Sequence, residues 1–369
     1  MNKMKRFWML AVPVGVGAVL FAILSTRSLP SASPPAGAVR LESPGAALQR
    51  STAQRSRVPS LVHDAALTNA VNQSQEPPKL SVEQIDAYLA RYGTNAETLL
   101  AAFHVGPDGR HYLRMAATNF PEHPGVQLYV ASLDVFPGQK QEWLDRLKKS
   151  APDNSVANYL SASEHLRAGN KELALKEFET ASNKTGFSDY SLEAAQRAED
   201  ILLASGKSPG QAKVEGMSTT LLPALAQFKG LSQGMADVMK ESTAAGDAQT
   251  ANTLAEMNYR LGQRLATDGG GHFLIHQLVG YAIERITLSR LDPQGQYEFL
   301  GDNTPAQRIE QLQAERVRVR ELAKLLPEDI ASDYNNPEWI SYFDRIKVYG
   351  ERAALEWLRE RRQGAPTQP

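Results

Sequence analysis

Residues 151–181 read APDNSVANYLSASEHLRAGNKELALKEFETA. Pro152, Asp153 and Asn154 form a turn of the kind that precedes a helix, and Gly169-Asn170 interrupts the segment near its middle. On either side of that glycine, apolar residues recur every three or four positions, the period of a helix face. The spacing predicts one helix over 155–168 and a second over 171–182, folded back on each other. Such a hairpin has an apolar face that it cannot cover alone, so further helices must stack against it.

The hairpin resembles a tetratricopeptide repeat. In that family a proline closes each repeat, a small residue lets the two helices approach, and a glycine makes the turn. A small, a large aromatic and a small residue then face inward from the second helix. Pro152, Ala162, Gly169, Ala174, Phe178 and Ala181 stand at those positions. Asn158, Ser161 and His165 depart from the pattern, occupying places where tryptophan, leucine and tyrosine are usual. The resemblance is clear over roughly 151–182. It implies a stack of helical hairpins whose concave surface holds a protein or peptide.

Outward from this segment the same texture continues. Phe120-Pro121 and Ala151-Pro152 place prolines thirty-one residues apart, near the family's period of about thirty-four. Helices are predicted over 126–135 and 139–149, with Pro137-Gly138 as their turn, and a further one over 190–205. Ser81-x-x-Gln84 and Thr94-x-x-Glu97 have the form of capping boxes. Residues 206–223 carry Gly206, Pro209, Gly210, Gly216 and Pro223 and read as a loose junction. Beyond it longer helices are predicted over 247–266, 272–291 and 304–326. The 272–291 stretch is apolar nearly all round, as a buried central helix would be. Asn336-Pro337-Glu338 opens a last helix expected to run to about 361. No period-two run bounded by hairpin turns occurs, so the expected class is all-α: helical repeats over 80–205, a longer-helix bundle over 206–362, and a loose tail at 363–369.

The N-terminus sets the address. Lys3, Lys5 and Arg6 precede FWMLAVPVGVGAVLFAIL, an uncharged run over 7–24. Its eighteen residues suffice to cross a hydrocarbon layer roughly 30 Å thick. Signal-peptide cores are usually shorter and end at a small-x-small site. Here Pro30-Ser31-Ala32 and Ala36-Gly37-Ala38 are the available sites, both late and beside prolines. An uncleaved anchor over 1–24 is the preferred reading and a cleaved signal the alternative. The basic residues before the span put the N-terminus in the cytoplasm and the bulk outside it, in the periplasm if the cell is bacterial. Residues 25–79, rich in Pro, Ser and Ala, read as a disordered linker.

Composition excludes several functions. Forty basic and forty-one acidic residues leave a net charge of −1, so nothing points to nucleic acid. The absence of cysteine removes disulfides, thiolate metal sites, a thiol lipid anchor and a cysteine nucleophile together. No catalytic signature and no cofactor motif is present. His272 and His276 stand four apart on one predicted helix, a spacing able to chelate a metal, with Asp268 or Glu284 as possible third ligands. However, Phe273 stands where a metallopeptidase would carry its glutamate base. Asp268-Gly269-Gly270-Gly271 lacks the lysine and the spaced glycines of a phosphate loop and reads as a turn. His104, His111 and His123 read as surface loop residues, and the Arg316, Arg318, Arg320 run as a solvated face. The expected function is a membrane-anchored extracytoplasmic scaffold for a protein or peptide. The alternative is a metal-binding protein or hydrolase built on His272 and His276.

Overall fold

The computed structural model describes residues 79–267, 272–326 and 333–364, and among these the chain is all-helical: fifteen α-helices, one 3-10 turn at Glu298–Leu300 and a single isolated bridge between Asn154 and Gly186. The apolar run at 7–24, all of the 25–79 linker except Lys79, the 268–271 turn and residues 365–369 lie outside the described residues. No described helix is long and apolar enough to cross a membrane.

Local chemistry starts most of the helices. Ser81 closes a capping box with Gln84 at α1 (Val82–Tyr92), as its sequence predicts. At α2 (Ala96–Val105) the box is formed by Asn95 and Thr98 rather than by Thr94 and Glu97. Glu97 instead turns toward Arg197 and His123. Asp108 caps α3 (Gly109–Asn119), and His123 caps α4 (Pro124–Ser132). The 206–223 stretch is not a loose junction. Ser208 caps α9 (Pro209–Ser218), with Pro209 in its first turn, where a missing N–H costs nothing.

Consecutive helices pair as α2–α3, α4–α5 (Lys140–Ser150) and α6–α7 (Val156–Arg167 and Lys171–Asn183). In the α6–α7 hairpin Ala162, Ala174, Phe178 and Ala181 are completely buried. Gly169 turns the chain at φ 79°. The Phe178 ring meets Tyr159 edge-on at 5.6 Å. Polar residues replace large apolar ones on α6 because they have partners. Asn158 donates to Glu177 at 2.6 Å, and Lys148 reaches both Glu177 and Ser161. This network ties α5, α6 and α7 together.

The row of hairpins does not stay open. Helix α8 (Ser191–Ala204) returns to pack on α2 and α1, α10 (Leu225–Ala244) lies on α6, and α11 (Ala248–Ala266) touches α7. The first helices of the hairpins are consequently buried on nearly every side, whereas α7 keeps Lys171, Glu172, Lys176 and Glu179 in water. Arg264 of α11 donates to the carbonyls of Ala181 at 2.8 Å and Ser182 at 2.7 Å and also to that of Lys184. It thus satisfies acceptors that the end of α7 leaves open. One apolar core runs from Leu80 to Leu358, without a break at 205–206.

Helix α12 (Leu274–Leu288) is the buried central helix that its composition predicts. It crosses α11 at two glycines. A Cβ on Gly280 would lie 2.5 Å from the Gly262 carbonyl oxygen, so only glycine permits this approach. Helix α13 (Pro305–Ala323) packs on α12. The last predicted helix is in fact two, α14 (Pro337–Tyr349) and α15 (Glu351–Arg362). Gly350 breaks it at φ 82°, a conformation outside any helix. The break lets the Glu351 N–H donate to the His272 carbonyl at 2.7 Å, joining the start of α15 to the start of α12.

Candidate functional site

Three distant segments meet at the N-terminal end of α12: the turn before α8, the α12 entry itself and the α14–α15 junction. The turn residue Tyr190 is held at φ 56°, an uncommon value for a side-chain-bearing residue. This geometry directs Asp189 inward. Its Oδ1 accepts from the Ser191 N–H at 3.1 Å, and its Oδ2 lies 2.8 Å from His276 Nε2. His276 is fully buried, and Phe273 stacks on its ring with centroids 5.7 Å apart. Burial pushes the Asp189 carboxyl upward, but the His276 ring and the Ser191 bonds outweigh it and hold the group below its ordinary range.

Helix α12 has no capping side chain of its own, because Phe273 occupies the cap position. Glu351 supplies one from α15. Its Oε2 accepts from the Leu274 N–H at 2.7 Å, and Tyr342 donates to its Oε1 at 3.4 Å. A helix N-terminus favours an anion, yet complete burial dominates and pushes the Glu351 carboxyl up to about 7, offset in part by Leu274, Tyr342 and His276. Burial and Glu351 in turn raise the Tyr342 hydroxyl well above its usual range.

The sign of the Glu351 contribution follows. With the folded value raised from 4.5 to about 7, stability is intact in acid and is lost as pH rises across that interval. The loss is about 3 kcal/mol. Glu351→Gln keeps an acceptor for Leu274 and has no charge to bury. Melting curves of the two proteins are expected to agree near pH ~4, with the variant melting higher near pH ~8. A constant offset between them at all pH values would contradict an ionisable buried Glu351.

The chemical reach of this cluster is narrow. His272, Ser188, Tyr190 and Glu193 line a cavity of about 60 Å³. That is room for a few water molecules and far below the roughly 300 Å³ at which small-molecule pockets begin. The Asp189–His276 pair has the form of a histidine oriented by a carboxylate. A nucleophile would have to meet the other ring nitrogen, and Nδ1 has no hydrogen-bond partner among the described residues. As for a metal, His276 Nε2 is engaged by Asp189 and Glu284 by Arg308, while Asp268 lies outside the described residues. No group of three metal-capable side chains gathers among the described residues.

Two of the three N-terminal histidines differ from the surface-loop expectation. His104 lies on α2, where burial and the nearby Arg197 hold its ring down to about 3. His123 caps α4 and meets Glu97 at 2.9 Å. His111 is exposed on α3. Sequence reading singled out neither Asp189 nor Glu351. The single local cue to Asp189 is a serine two residues on, the spacing of an aspartate that bonds its own following backbone. No protein-family model, no curated protein and no solved structure matches the chain.

Proposed function

We propose that the chain is a membrane-tethered extracytoplasmic scaffold that binds a protein or peptide partner, with hairpins of the tetratricopeptide type over 80–205. The observation that supports this most is a ladder of aromatic and arginine side chains on the outer face of α14 and α15. Arg345 lies over Tyr349 at 5.9 Å and over Trp357 at 4.5 Å, and Arg361 covers Trp357 from 5.7 Å. Beside them Val348 is 68% exposed and Tyr349 62% exposed. Tyrosine, tryptophan and arginine are the residues in which binding energy concentrates at protein interfaces. The first helices of the hairpins, which would line the concave surface of such an array, have α8 packed on α2 and α10 packed on α6. The reading puts the partner on the outside, at the C-terminal end.

The test uses the full chain in its native membrane, washed with alkaline carbonate, where an anchored protein stays behind. Crosslinking of the wild type should capture a defined protein. Tyr349→Glu and Val348→Glu are expected to reduce that product about tenfold or more without lowering the melting temperature, since both residues are exposed. Equal capture by both variants, or release of the protein by carbonate, would overturn the reading.

A further inference from the structure

Arginines are abundant on α13 and α15, α12 carries Arg285, and many arginines in this region are paired. Arg308 holds Glu284 and Glu315, Arg318 and Arg352 share Glu356, Arg290 meets Asp237, and Arg361 and Arg362 meet Glu338. Three stand apart. Arg285 on α12 and Arg316 and Arg320 on α13 form no ion pair and no hydrogen bond with any described residue. Arg316 and Arg320 are four positions apart, hence neighbours on one helix face about 6 Å apart. The packing of α13 on α12 brings Arg285 to them.

Four carboxylates of the surrounding helices are committed elsewhere: Glu284 and Glu315 to Arg308, Glu356 to Arg318 and Arg352, and Glu321 to Lys324. Burial together with the Arg285 and Arg320 charges depresses the Arg316 guanidinium, and no acidic group offsets them. The Arg320 Nε–H is buried without an acceptor among the described residues. Buried donors are rarely left empty, and Arg316, half-buried between Arg320 and the exposed Arg285, feels the repulsion of both. An oxyanion seated between them would answer both.

We infer that Arg285, Arg316 and Arg320 form a binding site for a phosphate-type oxyanion, borne by a soluble phosphate compound or a phospholipid headgroup. Guanidinium forks match the paired oxygens of phosphate in plane and charge, and two or three of them around one group give selectivity over chloride. Arg318, two positions from either α13 member, points away and is bound to Glu356 at 2.8 Å. The arginine run is thus split by its helix into one site face and one ion-pair face.

The experiment is a thermal-shift and calorimetric titration of the detergent-solubilised full chain at constant ionic strength. The probes are inorganic phosphate and a short-chain phosphatidylglycerol below its micellar concentration. At least one should raise the melting temperature above the chloride control. Stronger binding of inorganic phosphate assigns a soluble ligand, and stronger binding of the lipid assigns a headgroup. Arg316→Gln and Arg320→Gln should each weaken that binding about tenfold or more, the loss of a charge-assisted hydrogen bond. Arg318→Gln should leave it unchanged. Without anion, Arg316→Gln should melt no lower than the wild type, because it removes repulsion, which also establishes that the variant folds. Absence of stabilisation by both probes, or an undiminished response in both site variants, would overturn the assignment.

Discussion

Phe178→Ala is expected to lower the unfolding free energy by about 3–5 kcal/mol, the range for truncating a core aromatic. Phe178 has no exposed surface and sits where α6, α7 and α10 converge. Its ring meets Tyr159 at 5.6 Å, and Tyr159 meets Phe228 of α10 at 6.2 Å. Removing it opens a void bounded by rigid helices, which collapse only partly. Ala174, one turn earlier and also fully buried, has the opposite problem: Ala174→Trp would force the hairpin apart. Leu173 beside it is 49% exposed, so Leu173→Ala should change stability by no more than about 0.5 kcal/mol. Denaturant unfolding of the three variants separates the cases. Wild-type midpoints for both core variants would refute this packing of the hairpin.

Arg308→Ala should cost a comparable amount, about 3–5 kcal/mol at neutral pH, by stranding a buried carboxylate. Glu284 is completely buried, and its Oε2 accepts from Arg308 Nε at 3.0 Å and Nη2 at 2.8 Å. Burial already raises the Glu284 carboxyl despite that arginine. Without it the group is driven further up and must hold a proton to remain folded. A raised folded value means stability that is kept in acid and lost as pH climbs past 4.5, the unfolded value. The defect of Arg308→Ala should therefore shrink toward acid. The double variant Arg308→Met with Glu284→Gln should recover much of the loss, since neither charge remains to be desolvated. Equal destabilisation by the single and double variants, independent of pH, would show that packing rather than charge dominates here.

Much of the helical outline is legible in local sequence. The Ser81–Gln84 box, the α6–α7 hairpin around Gly169, the buried α12 and the Pro337 start all follow from signals within a turn or two of helix. The departures are equally physical. Asn95 displaces Thr94 as a cap because Thr98 can reciprocate, its hydroxyl accepting from the Asn95 N–H at 3.0 Å. Gly350 ends α14 although the apolar period continues, because its conformation frees the Glu351 N–H to meet His272. His104 reads as a loop residue beside Gly106-Pro107-Asp108-Gly109, yet α2 carries it into the interior.

By itself, then, the sequence determined the all-helical class, the positions of most helix starts, the absence of any cysteine chemistry and a buried helix within residues 272–291. Each of these rests on contacts between residues close along the chain. Only the tertiary structure decided which polar groups meet: Asp189 with His276 across 87 positions and the Leu274 N–H with Glu351 across 77. It also decided that α8 packs on α1 and α2 and that α10 packs on α6. Apolar periodicity marks a face as buried but carries no label for what buries it. That choice depends on the shape and charge of surfaces that exist only once the helices have packed.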